Sequence, residues 1–171
     1  MFRIETERLV ITEFTPDMAQ VVSENSLDDD NRRFVPDEVF ETEADAAETI
    51  EFLISRYGEC DGPLVYPVLL KTGENIGYVQ AVPLSAAEWE IGYHIAKRYT
   101  CRGYATEAVK AFLPEIMRYL KISEISGVCL SENAASRRVL LKCGFEQVFE
   151  GEGDYQGSRR DICKFLFRSA K

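Results

Sequence analysis

The chain contains a single histidine, and its five cysteines, Cys60, Cys101, Cys129, Cys143 and Cys163, include no Cys-x-x-Cys pair. That scarcity removes the usual four-ligand zinc sets and leaves an odd number of thiols, so free cysteines and no bound metal are expected. No run of about 18 apolar residues occurs, and nothing reads as a bilayer-spanning helix. Met1-Phe2-Arg3-Ile4-Glu5 lacks the basic region and apolar run of a secretory signal, which points to the cytoplasm. Repeats and low-complexity tracts are missing too, and residues 1–171 are expected to form a single domain. Basic residues are in the minority: 20 against 29 acidic give a net charge of −9, which repels nucleic acid and anionic membranes and draws in cations.

What the chain does have is 46% hydrophobic and 29% charged residues, the balance of a protein with a buried core, and one stretch around which the rest is arranged. Trp89, Ile91, Tyr93 and Ile95 alternate with Glu88, Glu90, Gly92 and His94, the period of a half-buried strand. From Tyr104 the period changes, and Ala105, Ala108, Val109, Phe112, Ile116 and Leu120 recur on one face of a helix. Pro114 deletes one of its hydrogen bonds and is expected to bend it near Lys110. Between strand and helix lies the basic loop Arg98-Tyr99-Thr100-Cys101-Arg102-Gly103. The first N–H groups of a helix lack intrahelical acceptors and carry the positive end of the macrodipole, so an anion belongs there. Gly103 lets a phosphate approach the backbone, Ala105 keeps the entrance small, and Lys97, Arg98 and Arg102 supply positive charge. Glycine spacing alone also fits an ordinary strand-to-helix turn. Arg137, Arg138 and Lys142 extend the basic cluster, while Cys101 reads as a spectator in a loop that needs backbone rather than sulfur.

Elsewhere, alternation predicts strands over 6–14, 64–70, 76–82, 122–130, 145–150 and 160–167. Pro67 then requires a bulge or an unpaired side. Thr15 before Pro16, Thr42 with Asp45, and Asn133 are expected to cap helices, the last closed by Gly144. Residues 28–36 read as a solvated polar connection, since three adjacent aspartates do not converge easily on one ion, and Gly151–Ser158 as a hairpin connection. A right-handed crossover through the 104–120 helix makes the strands at Ile91 and Val128 parallel neighbours. In the 133–144 helix, Ser136 shares a face with Val139, Leu140 and Cys143 and points inward, the bland alternative being a bond to a carbonyl one turn back.

Thr100-Cys101-Arg102-Gly103-Tyr104-Ala105 resembles motif A of the GNAT superfamily of N-acetyltransferases, Gln/Arg-x-x-Gly-x-Gly/Ala, with Thr100 where the motif has Gln or Arg. Thr106-Glu107-Ala108 completes a run similar to the ribosomal-protein acetyltransferase branch, and Thr6-Glu7-Arg8-Leu9-Val10-Ile11 and Asn133-x-x-Ser136…Gly144-Phe145 are similar to further motifs of that family. The resemblance covers the chain from Thr6 to about Arg168. It implies an α+β fold with a GNAT-like mixed, mostly antiparallel sheet of six or seven strands flanked by about four helices, and acetyl-CoA as cosubstrate. It implies contacts to that cosubstrate from Thr100, Cys101, Arg102, Gly103, Tyr104, Ala105 and Thr106 at the pyrophosphate, from Asn133, and from the backbone of Tyr93, His94 and Ile95.

In N-acetyl transfer an amine loses a proton, an oxyanion is stabilised and a departing thiolate is protonated. Ser136 is the nominee for the acid and Glu90 for the base, with His94 an alternative because imidazole is the side chain that ordinarily titrates nearest neutrality. The resemblance makes the first two helices and their connection a wall of the acceptor cleft. The acceptor is then a primary amine, on a protein N-terminus or a small molecule, used by a monomer or a homodimer. An aminoglycoside-type drug as acceptor, or a non-catalytic coenzyme A-binding module, are the alternatives.

Overall fold

The computed structural model describes residues 1–170. One sheet of eight strands runs through it: β1 (Ile4–Glu5), β2 (Leu9–Ile11), β3 (Leu64–Leu70), β4 (Asn75–Pro83), β5 (Trp89–Ile95), β6 (Glu124–Leu130), β7 (Glu146–Tyr155) and β8 (Ser158–Arg168). Their order is β1-β2-β3-β4-β5-β6-β8-β7, and every neighbouring pair is antiparallel except β5–β6. Five α-helices accompany it: α1 (Ala19–Ser26), α2 (Asp29–Phe34), α3 (Glu43–Arg56), α4 (Tyr104–Leu120) and α5 (Ala134–Lys142). This is the α+β mixed sheet expected, larger by one strand and one helix.

Both additions were too short to carry a period. The span expected as one strand over 6–14 is instead β2 alone, with Leu9, Val10 and Ile11 all buried, preceded by the separate two-residue β1. Residues 28–36, expected as a loop, hold α2, because Asp28 Oδ1 accepts the N–H of Asn31 while Asp29 and Asp30 occupy the first turn and Arg32 and Arg33 the last. A 3-10 turn, Pro36–Glu38, follows. Thr42 and Asp45 form the expected capping box, whereas the Thr15 side chain makes no cap bond to the Pro16–Met18 turn. Pro67 sits one residue beyond the last β2–β3 pairing, Ile11↔Val68, where its carbonyl still accepts Thr12 N–H at 3.4 Å and its missing donor leaves only the reciprocal bond, at the end of that ladder, unmade. The β7–β8 hairpin is longer than expected and turns on Gln156 and Gly157 alone, both at positive φ (47° and 79°), the pattern of a primed two-residue turn.

The core divides across the sheet. On one side α4 and α5 bury Phe112, Ile116 and Leu140 against Leu9, Tyr66, Val79 and Ile91. Phe112, fully buried, meets the rings of Phe2 and Tyr66, a burial that contributes about 2–3 kcal/mol. On the other side α1 and α3 close over Phe14, Ile50, Leu53 and Val65. Successive residues of β5 therefore face different compartments: Ile91 and Tyr93 toward α4 and α5, Glu90, Gly92 and His94 toward the side of α1 and α3.

Candidate active site

The sheet parts in its middle. β5 and β6 are paired only at Glu90↔Ser126 and Ile91↔Gly127; beyond Ile91 the two strands diverge while β5 stays paired to β4 as far as Ile95. In an antiparallel ladder the backbone groups of successive residues point alternately to either side. Ala96 N–H goes to Ile76 O, and an ideal Cβ on Gly77 would lie 2.0 Å from the His94 carbonyl oxygen, so the even-numbered residues of β5 are committed to β4. The expectation that His94 offers its backbone to a ligand is corrected accordingly, and the groups aimed into the gap are those of Tyr93 and Ile95.

A cavity of ≈ 630 Å³ occupies the gap and opens to both faces of β5. Glu38, Gln80, Glu90 and Gly92 line it from one side, Tyr93, Cys129, Asn133 and Ser136 from the other. Burial, with the charge of Glu38 adding to it, pushes the Glu90 carboxyl up to about 7. His94 is not part of this lining: its Nε2 lies 3.6 Å from Asp28 Oδ2. The neighbouring His94 imidazole is the first cause holding Asp28 below the usual carboxylate range, with the N–H of Asn31 adding to it.

On the opposite face, the Ser136 hydroxyl meets the Tyr93 hydroxyl at 2.8 Å, and Tyr93 Oη also donates to the Ser136 carbonyl at 3.1 Å. The inward serine thus pairs across to β5 rather than with a carbonyl one turn back. Burial raises Tyr93 well above the ordinary tyrosine range, so it keeps its proton. Asn133 caps α5 by accepting Ser136 N–H on Oδ1 at 3.1 Å, which leaves its Nδ2 for a ligand. Burial pushes the Cys129 thiol up to about 11, which makes it a poor nucleophile.

At the head of the gap, the loop before α4 has the geometry of an anion cradle. Gly103 adopts φ 80°, and Cys101 before it φ 62°. The first bond of α4 is Glu107 N–H to Gly103 O, and among the described residues the N–H groups of Tyr104, Ala105 and Thr106 have no acceptor. A Cβ on Gly103 would meet only the end of the Arg8 side chain, at 3.4 Å, so the approach is open to a phosphate. Thr100, standing where motif A has Gln or Arg, donates its hydroxyl to Lys97 O at 2.7 Å. Of the basic cluster, Lys97 is paired with Asp30, Arg98 with Glu74 and Arg137 with Glu150, whereas Arg102, Arg138 and Lys142 have no acidic partner among the described residues.

Two further residues were not among the expected site residues, Arg8 having stood only within a motif of resemblance. Arg8 donates to Arg102 O at 2.9 Å, pairs with Glu107 at 2.6 Å and lies over the Tyr104 ring, so it braces the cradle from β2's side. Burial works against the Glu107 charge, yet the hydrogen bonds from Thr6 and Arg8 outweigh it and hold that carboxyl below its usual range. Glu38, from the 3-10 turn after α2, is the other; its only signal was proximity to a polar connection read as solvated.

A cavity between parted parallel strands, headed by a loop whose helix N–H groups are unpartnered, is the layout of a coenzyme A-dependent acyltransferase. Comparison with known proteins agrees on that class and narrows it. Residues 8–146 match the Acetyltransferase (GNAT) domain, and the chain belongs to the GNAT acetyltransferase family. It is 32% identical over 146 residues to the uncharacterized N-acetyltransferase YnaD of Bacillus subtilis, covering 84% of this chain and 82% of that protein. Among solved structures, a GNAT-family acetyltransferase from Bacillus anthracis superposes with TM-score 0.83 at 25% identity over 98% of both chains. The ribosomal L7/L12 α-N-protein acetyltransferase RimL, solved in complex with coenzyme A, shares the fold at TM-score 0.83 and 14% identity over 98% of both chains. The protein is thus an acyltransferase of the N-acetyltransferase type. No helix among the described residues is long and apolar enough to cross a membrane.

Proposed function

We propose that the protein transfers the acetyl group of acetyl-CoA to a primary amine, with a protein N-terminus the leading acceptor and a small-molecule amine the second. The observation that carries this reading is the single cavity joining a carboxyl of raised pKa, Glu90, to the hydroxyl pair Tyr93–Ser136 through the parted strands. The fold shared with RimL, a ribosomal L7/L12 α-N-protein acetyltransferase, favours the N-terminus. The open cavity with a carboxyl inside argues against a purely docking module, which needs neither.

The residues fit acetyl-CoA. The free N–H groups of Tyr104, Ala105 and Thr106, with Gly103 for access and Arg102 for charge, would hold its pyrophosphate, and Asn133 Nδ2 and the Tyr93 and Ile95 backbone would hold the chain beyond it. Bound there, acetyl-CoA supplies an activated acyl thioester. Glu90, ionised above about pH 7, accepts the proton of the incoming ammonium at its carboxylate. The N–H groups of Tyr93 and Ile95 face the gap and are placed to donate to an oxyanion. Ser136 donates its hydroxyl hydrogen toward the sulfur side while Tyr93 donates to Ser136 Oγ.

The test is an acceptor screen with detection of released coenzyme A thiol, covering N-terminal peptides, polyamines and aminoglycosides. Thiol release with peptides bearing a free N-terminus, absent with N-acetylated controls, is the expected result; release with aminoglycosides only moves the function to drug modification.

A further inference from the structure

Around Glu38 the structure is built with unusual care for a side chain in a short 3-10 turn. Gln80 Nε2 donates to Glu38 Oε1 at 3.1 Å. Gln80 reaches this position by lying over Gly92, its cross-strand partner, where any Cβ would come within 2.6 Å of Nε2. The Glu38 carbonyl is held by Asn31 Nδ2 at 3.2 Å, and Asn31 is itself buried and also bonded to Ser26 O. From the far side, Tyr155 donates to Phe34 O and Asp37 N–H donates to Gln156 Oε1 at 3.3 Å, tying the turn to the tip of the β7–β8 hairpin. Three separate segments therefore fix one carboxyl on the cavity wall.

No cation answers it. Neither Glu38 nor Glu90 has a Lys, Arg or His partner at ion-pair distance among the described residues, although both stand in the cavity with much of their surface buried. The other charged groups lining the cavity are Glu88, Glu124, Asp154 and a single cation, Lys164. Buried charges are ordinarily paired, so this wall lacks a positive charge that a ligand can bring.

We propose that Glu38 is a specificity-determining residue of this transferase: with Glu90 it forms an anionic pair that selects acceptors arriving as aliphatic ammonium ions and rejects neutral nucleophiles such as alcohols and arylamines. The inference rests on the acetyl-transfer reading above. The division of labour follows from the surroundings. Burial raises Glu38, but the Gln80 donor and the positive field of His94 oppose the rise, with Asp37 adding to it, so Glu38 holds its charge better than Glu90. Glu90, without such a donor and facing only Lys164 as a counter-charge, is the one that takes up the proton. One carboxylate keeps the charge that attracts the acceptor; the other accepts its hydrogen ion.

Benzylamine and aniline form a matched pair of probes, the first cationic and the second neutral at pH 7. Trp89, the sole tryptophan, lines the same cavity next to Glu90 and reports their binding by fluorescence, independently of turnover. The wild-type protein should bind benzylamine at least about tenfold tighter than aniline, and Glu38→Gln should reduce that ratio about tenfold while Glu38→Asp restores part of it. Removing the Glu38 charge should also shift the acid limb of kcat/KM for an accepted amine to lower pH, which a loss of packing alone does not do. An unchanged benzylamine-to-aniline ratio in a Glu38→Gln protein that melts like the wild type overturns the proposal. The acetyl-CoA thermal shift should be equal in both proteins; its absence from the wild type as well indicts the acetyl-transfer reading rather than Glu38.

Discussion

The hydroxyls of Tyr93 and Ser136 stand 2.8 Å apart and join β5 to α5 across the gap between the parted strands. Each has a single proton to give. When Tyr93 donates to Ser136 Oγ, the serine hydrogen is free to point at a ligand; when Tyr93 donates to the Ser136 carbonyl, it is not. Tyr93→Phe should therefore lower kcat about tenfold with KM for the amine within about threefold, by loss of one oriented hydrogen bond. In a Ser136→Ala background the same substitution should cost almost nothing. Additive losses in the double-mutant cycle would separate the two hydroxyls functionally.

Gly103→Val should abolish the rise in melting temperature that acetyl-CoA confers on the wild type. The substitution places a branched Cβ at φ 80°, beside the unpartnered N–H groups of α4. The strained backbone also lowers the ligand-free melting point, so the shift is read against each protein's own baseline. A full shift in the folded variant moves the pyrophosphate site away from this loop.

Two measurements follow from Glu90, whose carboxyl moves from 4.5 to about 7 on folding. As a base it must be ionised, so kcat/KM should rise with pH through about 7 and Glu90→Gln should erase this limb along with most of the activity. For stability the sign is opposite. A raised folded pKa favours the protonated state, so its contribution is complete below about 4.5 and disappears as pH climbs through about 7. Urea unfolding from pH 4.5 to 8 should show the wild type losing up to about 3 kcal/mol relative to Glu90→Gln. Parallel pH profiles for the two proteins are incompatible with a buried titrating Glu90.

The net charge of −9 predicts that an ammonium acceptor is drawn in over a distance. At saturating acetyl-CoA, kcat/KM for the amine should fall as salt shortens the Debye length from about 30 to about 8 Å. Replacing the exposed Asp29 and Asp30 with asparagine tests whether α2 is the source; Asp28 is a poor choice because it caps that helix and faces His94. A flat profile assigns the surface charge to solubility.

Local pattern revealed the elements that carry the local half of the candidate site. The strand, loop and helix from Trp89 to Leu120, and the capped helix from Asn133 to Gly144, each state their geometry within about thirty residues, through period, cap and glycine. Glu38 and Arg8 could not be found that way. Arg8 matters because β2 lies near the start of α4, 94 residues away at Arg102, and Glu38 because Gln80 is in register with Gly92. Six residues of α2 span fewer than two turns and show no period, so Asp28 to Phe34 looked like loop although its caps and charges were in order. The commitment of His94 to β4 was likewise a matter of which way a ladder phases, which alternation of side chains does not reveal.

The hairpin turn at Gln156 and Gly157 reaches the segment before Glu38 through two hydrogen bonds from side chains 119 and 121 residues distant in sequence. No residue of that turn belongs to the cradle or to the strands that part. On the proposed function, lengthening or recolouring this two-residue turn would re-aim the wall that carries Glu38 while leaving the loop before α4 untouched, so the choice of acceptor could change independently of the hold on the donor.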